Sequence, residues 1–91
     1  MENIKKKHEA LRYMGRVTNW NRERGFGFVR CFEDGESYYC NKKVINGEPY
    51  LIRNSIVDFC IGYSKDRQGN PTTYLYNVLV AEVPEERHTK Y

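Results

Sequence analysis

The sequence predicts an all-β fold, five short strands closed into a small barrel, with a short flexible or helical arm in front. Two observations carry that expectation. From Gly15 onward the chain runs as short β-type stretches divided by turn residues, the pattern of a meander or small barrel. With 91 residues it has apolar material for one core only.

The elements follow in order. Residues 1–13 are expected to be a basic arm: Ile4 and Leu11, with Met14 just beyond, share one side of a short helix, and about three isolated turns are barely stable in water. The domain proper spans residues 14–83. Its first strand is expected at Gly15–Asn21, closed by the polar Asn21-Arg22-Glu23-Arg24 stretch, and its second at Gly25–Phe32, before the turn Glu33-Asp34-Gly35. A third covers Glu36–Asn41, and Asn46-Gly47-Glu48-Pro49 breaks the chain after it. The fourth, Ser55–Tyr63, is apolar through Ile56, Val57, Phe59, Cys60 and Ile61 and reads as barrel wall. A loop with Gly69-Asn70-Pro71 at its tip leads to the fifth, Thr72–Val83, which Pro84 ends. Residues 84–91 form a polar tail, expected to be flexible. Five such strands fit an oligonucleotide-binding type barrel or an SH3-like one, and strand count does not separate the two.

Charge is unevenly spread. Residues 1–30 hold eight Lys/Arg against three Glu, whereas residues 31–91 hold seven against nine acids. A polyanion docking on the N-terminal third would release condensed counterions, although a solvated basic end, including Lys5, Lys6 and Lys7, explains the charge as simply. Cys31, Cys40 and Cys60 are an odd set without CxxC or Cys/His spacing, so neither a disulfide framework nor a metal site is expected. No apolar run reaches ~18 residues, which argues against a membrane span and for a soluble, cytoplasmic chain. Both histidines, His8 and His88, fall in the terminal arms, and there is no nucleophile elbow or Walker-type loop. Catalysis and bound cofactors are not expected.

The informative segment is Arg24-Gly25-Phe26-Gly27-Phe28-Val29-Arg30. On a strand, side chains alternate, so Arg24, Phe26, Phe28 and Arg30 share one face while Val29 and Cys31 take the other. Turning the phenylalanines inward would bury two guanidinium groups, so the cheaper arrangement puts Val29 and Cys31 in the core. The outer face then offers rings for stacking bases and cations for phosphates, at roughly 1–3 kcal/mol per stacked base. Glycines at 25 and 27 weaken the strand, and close backbone approach or a sharp coil would account for them.

Arg24–Val29 resembles the first ribonucleoprotein motif of the cold-shock domain family, Lys/Arg-Gly-Phe-Gly-Phe-Ile/Val, at every position. Gly15-Arg16-Val17-Thr18-Asn19-Trp20-Asn21 is similar to the family's opening strand, Gly-Lys-Val-Lys-Trp-Phe-Asn, and Asn77-Val78 to its closing Ala-Asn-Val. The resemblance covers about Gly15–Val80. It implies an oligonucleotide-binding barrel that takes single-stranded RNA or DNA across its first three strands. The family's basic residue and stacking phenylalanines fall on Arg24, Phe26 and Phe28, and its surface Lys on Thr18. Its stacking Trp-Phe pair falls on Asn19-Trp20, one place late for the tryptophan. Trp20 therefore either stacks, if a bulge turns it outward, or packs as a core anchor.

The second motif, Phe-Val-His-Phe, falls without gaps on Tyr38-Tyr39-Cys40-Asn41. This makes Tyr38 a stacking residue, unless the register slips by one and Tyr39 takes the role. Tyr50 lies near an aromatic of the family's long loop, Arg16 and Arg30 are placed to track phosphates, and Tyr74 and Tyr76 either extend the platform or pack at the rim. The expected partner is single-stranded RNA or DNA bound by a monomer. A polypeptide partner on the same barrel is the alternative, because fold does not fix function.

Overall fold

The computed structural model describes residues 11–84. The expected arm at 1–10, with Lys5, Lys6, Lys7 and His8, and the tail at 85–91, with His88, lie outside the described residues. Five antiparallel strands form one sheet: β1 Tyr13–Asn21, β2 Phe26–Cys31, β3 Ser37–Asn41, β4 Ile56–Lys65 and β5 Pro71–Glu82, in the order β3-β2-β1-β4-β5. A 3-10 turn, Lys42–Val44, is capped by Asn41, whose side chain accepts from the Lys43 N–H.

All five strands lie close to their expected places, and the differences at their ends have local causes. β1 starts at Tyr13, inside the expected arm, because Tyr13 pairs with Phe59 and Met14 with Asp58. Arg12 reinforces that start: it forms an ion pair with Asp58 and donates to the Asn77 carbonyl at 2.7 Å, tying β1 to β4 and β5. β2 starts at Phe26 because Gly25 takes φ +75° and closes a turn with its N–H on the Asn21 carbonyl at 2.8 Å. That left-handed conformation is open to glycine without strain. The β4–β5 hairpin runs longer than expected, to the pair Lys65–Pro71. Asp66 holds its turn by accepting the Gln68 and Asn70 N–H groups, both at 2.9 Å.

The core is made by the inward faces of the strands: Val17, Val29, Cys31, Cys40, Val57, Phe59, Leu75 and Val78, joined by Ile45 and Leu51 from the β3–β4 connection. Each valine, leucine, isoleucine or phenylalanine among them contributes about 1.5–3 kcal/mol on full burial. Of the expected β4 wall, Val57, Phe59 and Cys60 are buried, while Ile56 and Ile61 are half-buried. The edge strands β3 and β5 curl towards each other, but no ladder joins them. The link is one parallel bridge between Ile45 and Val78, with the Asn46 N–H on the Val78 carbonyl at 2.8 Å. The barrel expected from the sequence is thus a strongly curled sheet without full closure.

Candidate functional site

The outer face of β1, β2 and β3 is built from cross-strand rows. Phe28 lies between Asn19 on β1 and Tyr39 on β3, and Phe26 lies between Asn21 and Asn41. The next row places Arg30 between Arg16 and Ser37. Directly opposed residues on one face have Cβ atoms about 4.5–5.5 Å apart, so the members of each row are side-chain neighbours.

Phe26 and Phe28 point away from the core, and the inward positions between and after them are Gly27, Val29 and Cys31, all buried. The rings are half-buried rather than bare because Tyr39 leans over both. Its centroid is 5.7 Å from Phe26, tilted, and 6.0 Å from Phe28, edge-on. The quadrupoles of aromatic rings favour such tilted and edge contacts. Tyr39 itself is 51% exposed and forms the outer rim of the cluster.

Of the two registers open for the second motif, the structure takes the one that turns Tyr39 outward, and Tyr38 is not on the outer face. Tyr38 pairs with Val29 and Tyr39 with Phe28, so Tyr38 shares the core-facing side with Cys40, and its ring packs against the core. Its hydroxyl donates to Asp34 Oδ2 at 2.7 Å. That bond and the Glu36 N–H hold the Asp34 carboxyl below the usual aspartate range, and the same bond, helped by burial, pushes the Tyr38 phenol well up. The one-residue slip that exchanges the two tyrosines is the register open in the sequence.

Trp20 takes the second of its two expected roles, the core anchor, and the bulge acts in the sense opposite to the one that would turn the ring outward. Arg16, Thr18 and Trp20 would share the outer face of a regular strand, but β1 carries a bulge between Val17 and Asn19. Thr18 is the inserted residue, and its hydroxyl donates to the Phe28 carbonyl at 3.3 Å. Beyond it the alternation inverts: Asn19 turns outward beside Phe28, and Trp20 turns inward opposite Gly27, where its ring packs against the core. The indole Nε1 is buried there without a hydrogen-bond partner. Gly27 is what lets β1 approach: a Cβ at that position would lie 2.2 Å from the Asn19 carbonyl oxygen and 2.6 Å from the Trp20 ring.

The cations divide into two groups. Arg16 and Arg30 face each other across β1 and β2, both exposed. Each is steadied by a backbone carbonyl, Arg16 by Asn54 at 3.1 Å and Arg30 by Gly35 at 2.8 Å, and among the described residues neither pairs with a carboxylate. Arg16 also lies 6.0 Å from the centroid of Phe32, a ring 55% exposed. At the other end Arg24 sits in the β1–β2 turn, outside β2, so strand alternation does not align it with Phe26. Arg22, which the sequence marks only as a turn residue, lies 3.9 Å over the ring of Tyr50, so one face of Tyr50 is already covered by a guanidinium.

At the Arg22 end of the face an open cleft of about 680 Å³ is lined by Asn19, Trp20, Asn21, Arg22, Glu23, Phe26 and Phe28. Tyr74 and Tyr76 do not join it along the sheet. They contact each other at 5.9 Å on β5, with β4 and β1 between them and β2 in the ladder. Among the described residues no helix is long and apolar enough to cross a membrane, and no three metal-ligating side chains cluster. A scan against protein-family models finds no match to this chain, and a search of the curated proteins finds none either.

Proposed function

We propose that the outer face of β1–β3 binds single-stranded nucleic acid, RNA in preference to DNA, by stacking bases on Phe26, Phe28 and Tyr39 while arginines meet the phosphates. The observation that carries this reading is the pairing of an outward aromatic cluster with two guanidinium groups, Arg16 and Arg30, that form no ion pair among the described residues. Aromatic faces accept any base, and a cationic groove follows the backbone, which is the physics of strand binding with modest sequence preference. A cold-shock-like role follows: an RNA chaperone that traps opened strands, or a regulator of transcription or translation, acting as a cytoplasmic monomer without a cofactor.

A polypeptide partner on the same face is the rival, favoured by the acids Glu33, Asp34 and Glu36 beside Arg30 and by the exposed ring of Phe32. Ionic strength separates the two. If Arg16, Arg24 and Arg30 each neutralise one phosphate of a single strand, the log–log dependence of affinity on salt has a slope of about −2, from about −0.7 per phosphate. Titration of a labelled, unstructured oligoribonucleotide over a salt series measures it. A slope near zero, or no binding at low salt, favours the polypeptide reading.

A further inference from the structure

Three asparagines lie on the outer face, and two are occupied. Asn21 accepts the Arg24 N–H on its Oδ1 at 2.9 Å, fixing the β1–β2 turn. Asn41 accepts the Lys43 N–H at 2.9 Å and donates to the Tyr39 hydroxyl at 3.2 Å, fixing the 3-10 turn. The Asn19 side chain makes no hydrogen bond among the described residues through either its Oδ1 or its Nδ2. It is exposed, stands directly opposite Phe28, and lines the cleft whose floor includes Phe26 and Phe28.

Its position is set by rigid backbone. The bulge at Thr18 turns Asn19 outward, and the close approach of β1 to Gly27 holds its carbonyl against β2. A long side chain with neither partner nor packing role would be free to wander, but the two χ angles of asparagine leave its carboxamide within reach of whatever covers Phe28.

We infer that Asn19 is the base-edge reader of this face: its carboxamide hydrogen-bonds the edge of the base that stacks on Phe28. The inference rests on the strand-binding reading above and adds to it a specificity-determining residue. Stacking supplies affinity without regard to sequence, whereas a carboxamide supplies one donor and one acceptor side by side and pairs only with an edge that offers the complement. A base with a hydrogen-bonding edge is held at Phe28 more tightly than an aromatic of the same size without one.

The test follows from changing the donor–acceptor pattern. Asn19→Asp replaces the pair by two acceptors, and guanine alone among the four bases presents two adjacent N–H donors on one edge. The measurement is the ratio of affinities for a short uridine strand and the same strand carrying one central guanosine, for wild type, Asn19→Asp and Asn19→Ala. The added negative charge weakens both strands alike, so the ratio isolates the edge. A well-placed bidentate contact is worth about fivefold or more, so Asn19→Asp is expected to shift the ratio towards the guanosine strand by at least about that factor. Asn19→Ala is expected to hold a natural strand no better than one built from a non-hydrogen-bonding base isostere, which wild type discriminates. If wild type binds strands and a Phe26→Ala/Phe28→Ala variant does not, yet both Asn19 variants keep the wild-type ratios, the edge-reading role is overturned while strand binding stands. If wild type binds no strand, both fall together.

Discussion

Gly27→Ala isolates the contact that shapes the face. A Cβ at residue 27 would meet the Asn19 carbonyl oxygen at 2.2 Å, Trp20 Cε3 at 2.6 Å and Trp20 Cα at 2.8 Å. Two of these are backbone atoms of the bulged strand and cannot swing aside as a side-chain end would. To regain van der Waals separation, β1 has to withdraw by roughly 1 Å. Overpacking of this kind costs about 1–3 kcal/mol, and the upper part of that range applies because backbone must move. Replacing glycine in a strand returns about 0.5–1 kcal/mol. The net expectation is a loss of about 2 kcal/mol, or a Tm lower by about 8–16 °C for a domain of this size. Thermal unfolding followed by circular dichroism measures it, and the shift should be accompanied by a change in Trp20 emission, since the indole lies directly against the new methyl. A Tm within about 2 °C of wild type would refute the close approach and, with it, the inward turn of Trp20 and the outward turn of Asn19.

Tyr39→Ala removes two aromatic contacts worth about 0.5–1.5 kcal/mol each, so the stability measured in urea should fall by about 1 kcal/mol or more; an unchanged midpoint would contradict the cluster. Asp34, held low first by the Tyr38 hydroxyl, has a folded pKa below its unfolded value, so its contribution is present above that unfolded value and fades as pH falls through the folded one. The stability gap between wild type and Tyr38→Phe should therefore narrow from neutral pH to about pH 2, and a constant gap would count against the bond. Burial pushes the Cys40 thiol up to about 11, so its contribution is complete below the unfolded thiol value and is lost as pH rises towards 11. Alkylation of Cys40 at neutral pH should accordingly track unfolding, and fast labelling of the native protein would contradict its burial.

Much of the fold is legible in the residues because its signals are local. Strand limits follow turn chemistry at Asn21-Arg22-Glu23-Arg24, Glu33-Asp34-Gly35 and Gly69-Asn70-Pro71, and alternation through Phe26–Cys31 sorts Val29 and Cys31 inward without reference to any partner. The site is less legible wherever a neighbouring strand decides. Nothing in Tyr38-Tyr39 says which ring faces out, since both suit either side; the pairing of Tyr39 with Phe28 settles it. The bulge at Thr18 is likewise a property of two strands, so regular alternation assigns Trp20 to the surface and Asn19 to the core, the reverse of the structure. The contact of Arg22 with Tyr50 joins residues far apart in the chain and leaves no trace in spacing. Closure of the sheet is the least local feature, and a count of five strands overstates it.

The proposed strand binding depends on Phe26 and Phe28 facing outward and taking bases. Anisotropy of a labelled single-stranded oligoribonucleotide at low salt, with wild type and with a Phe26→Ala/Phe28→Ala variant, tests it directly; neither ring belongs to the core, so the variant should remain folded. Loss of two stacking surfaces at roughly 1–3 kcal/mol each predicts affinity weaker by about 30-fold or more. Equal affinity in the two folded proteins, or none in the wild type, would contradict it.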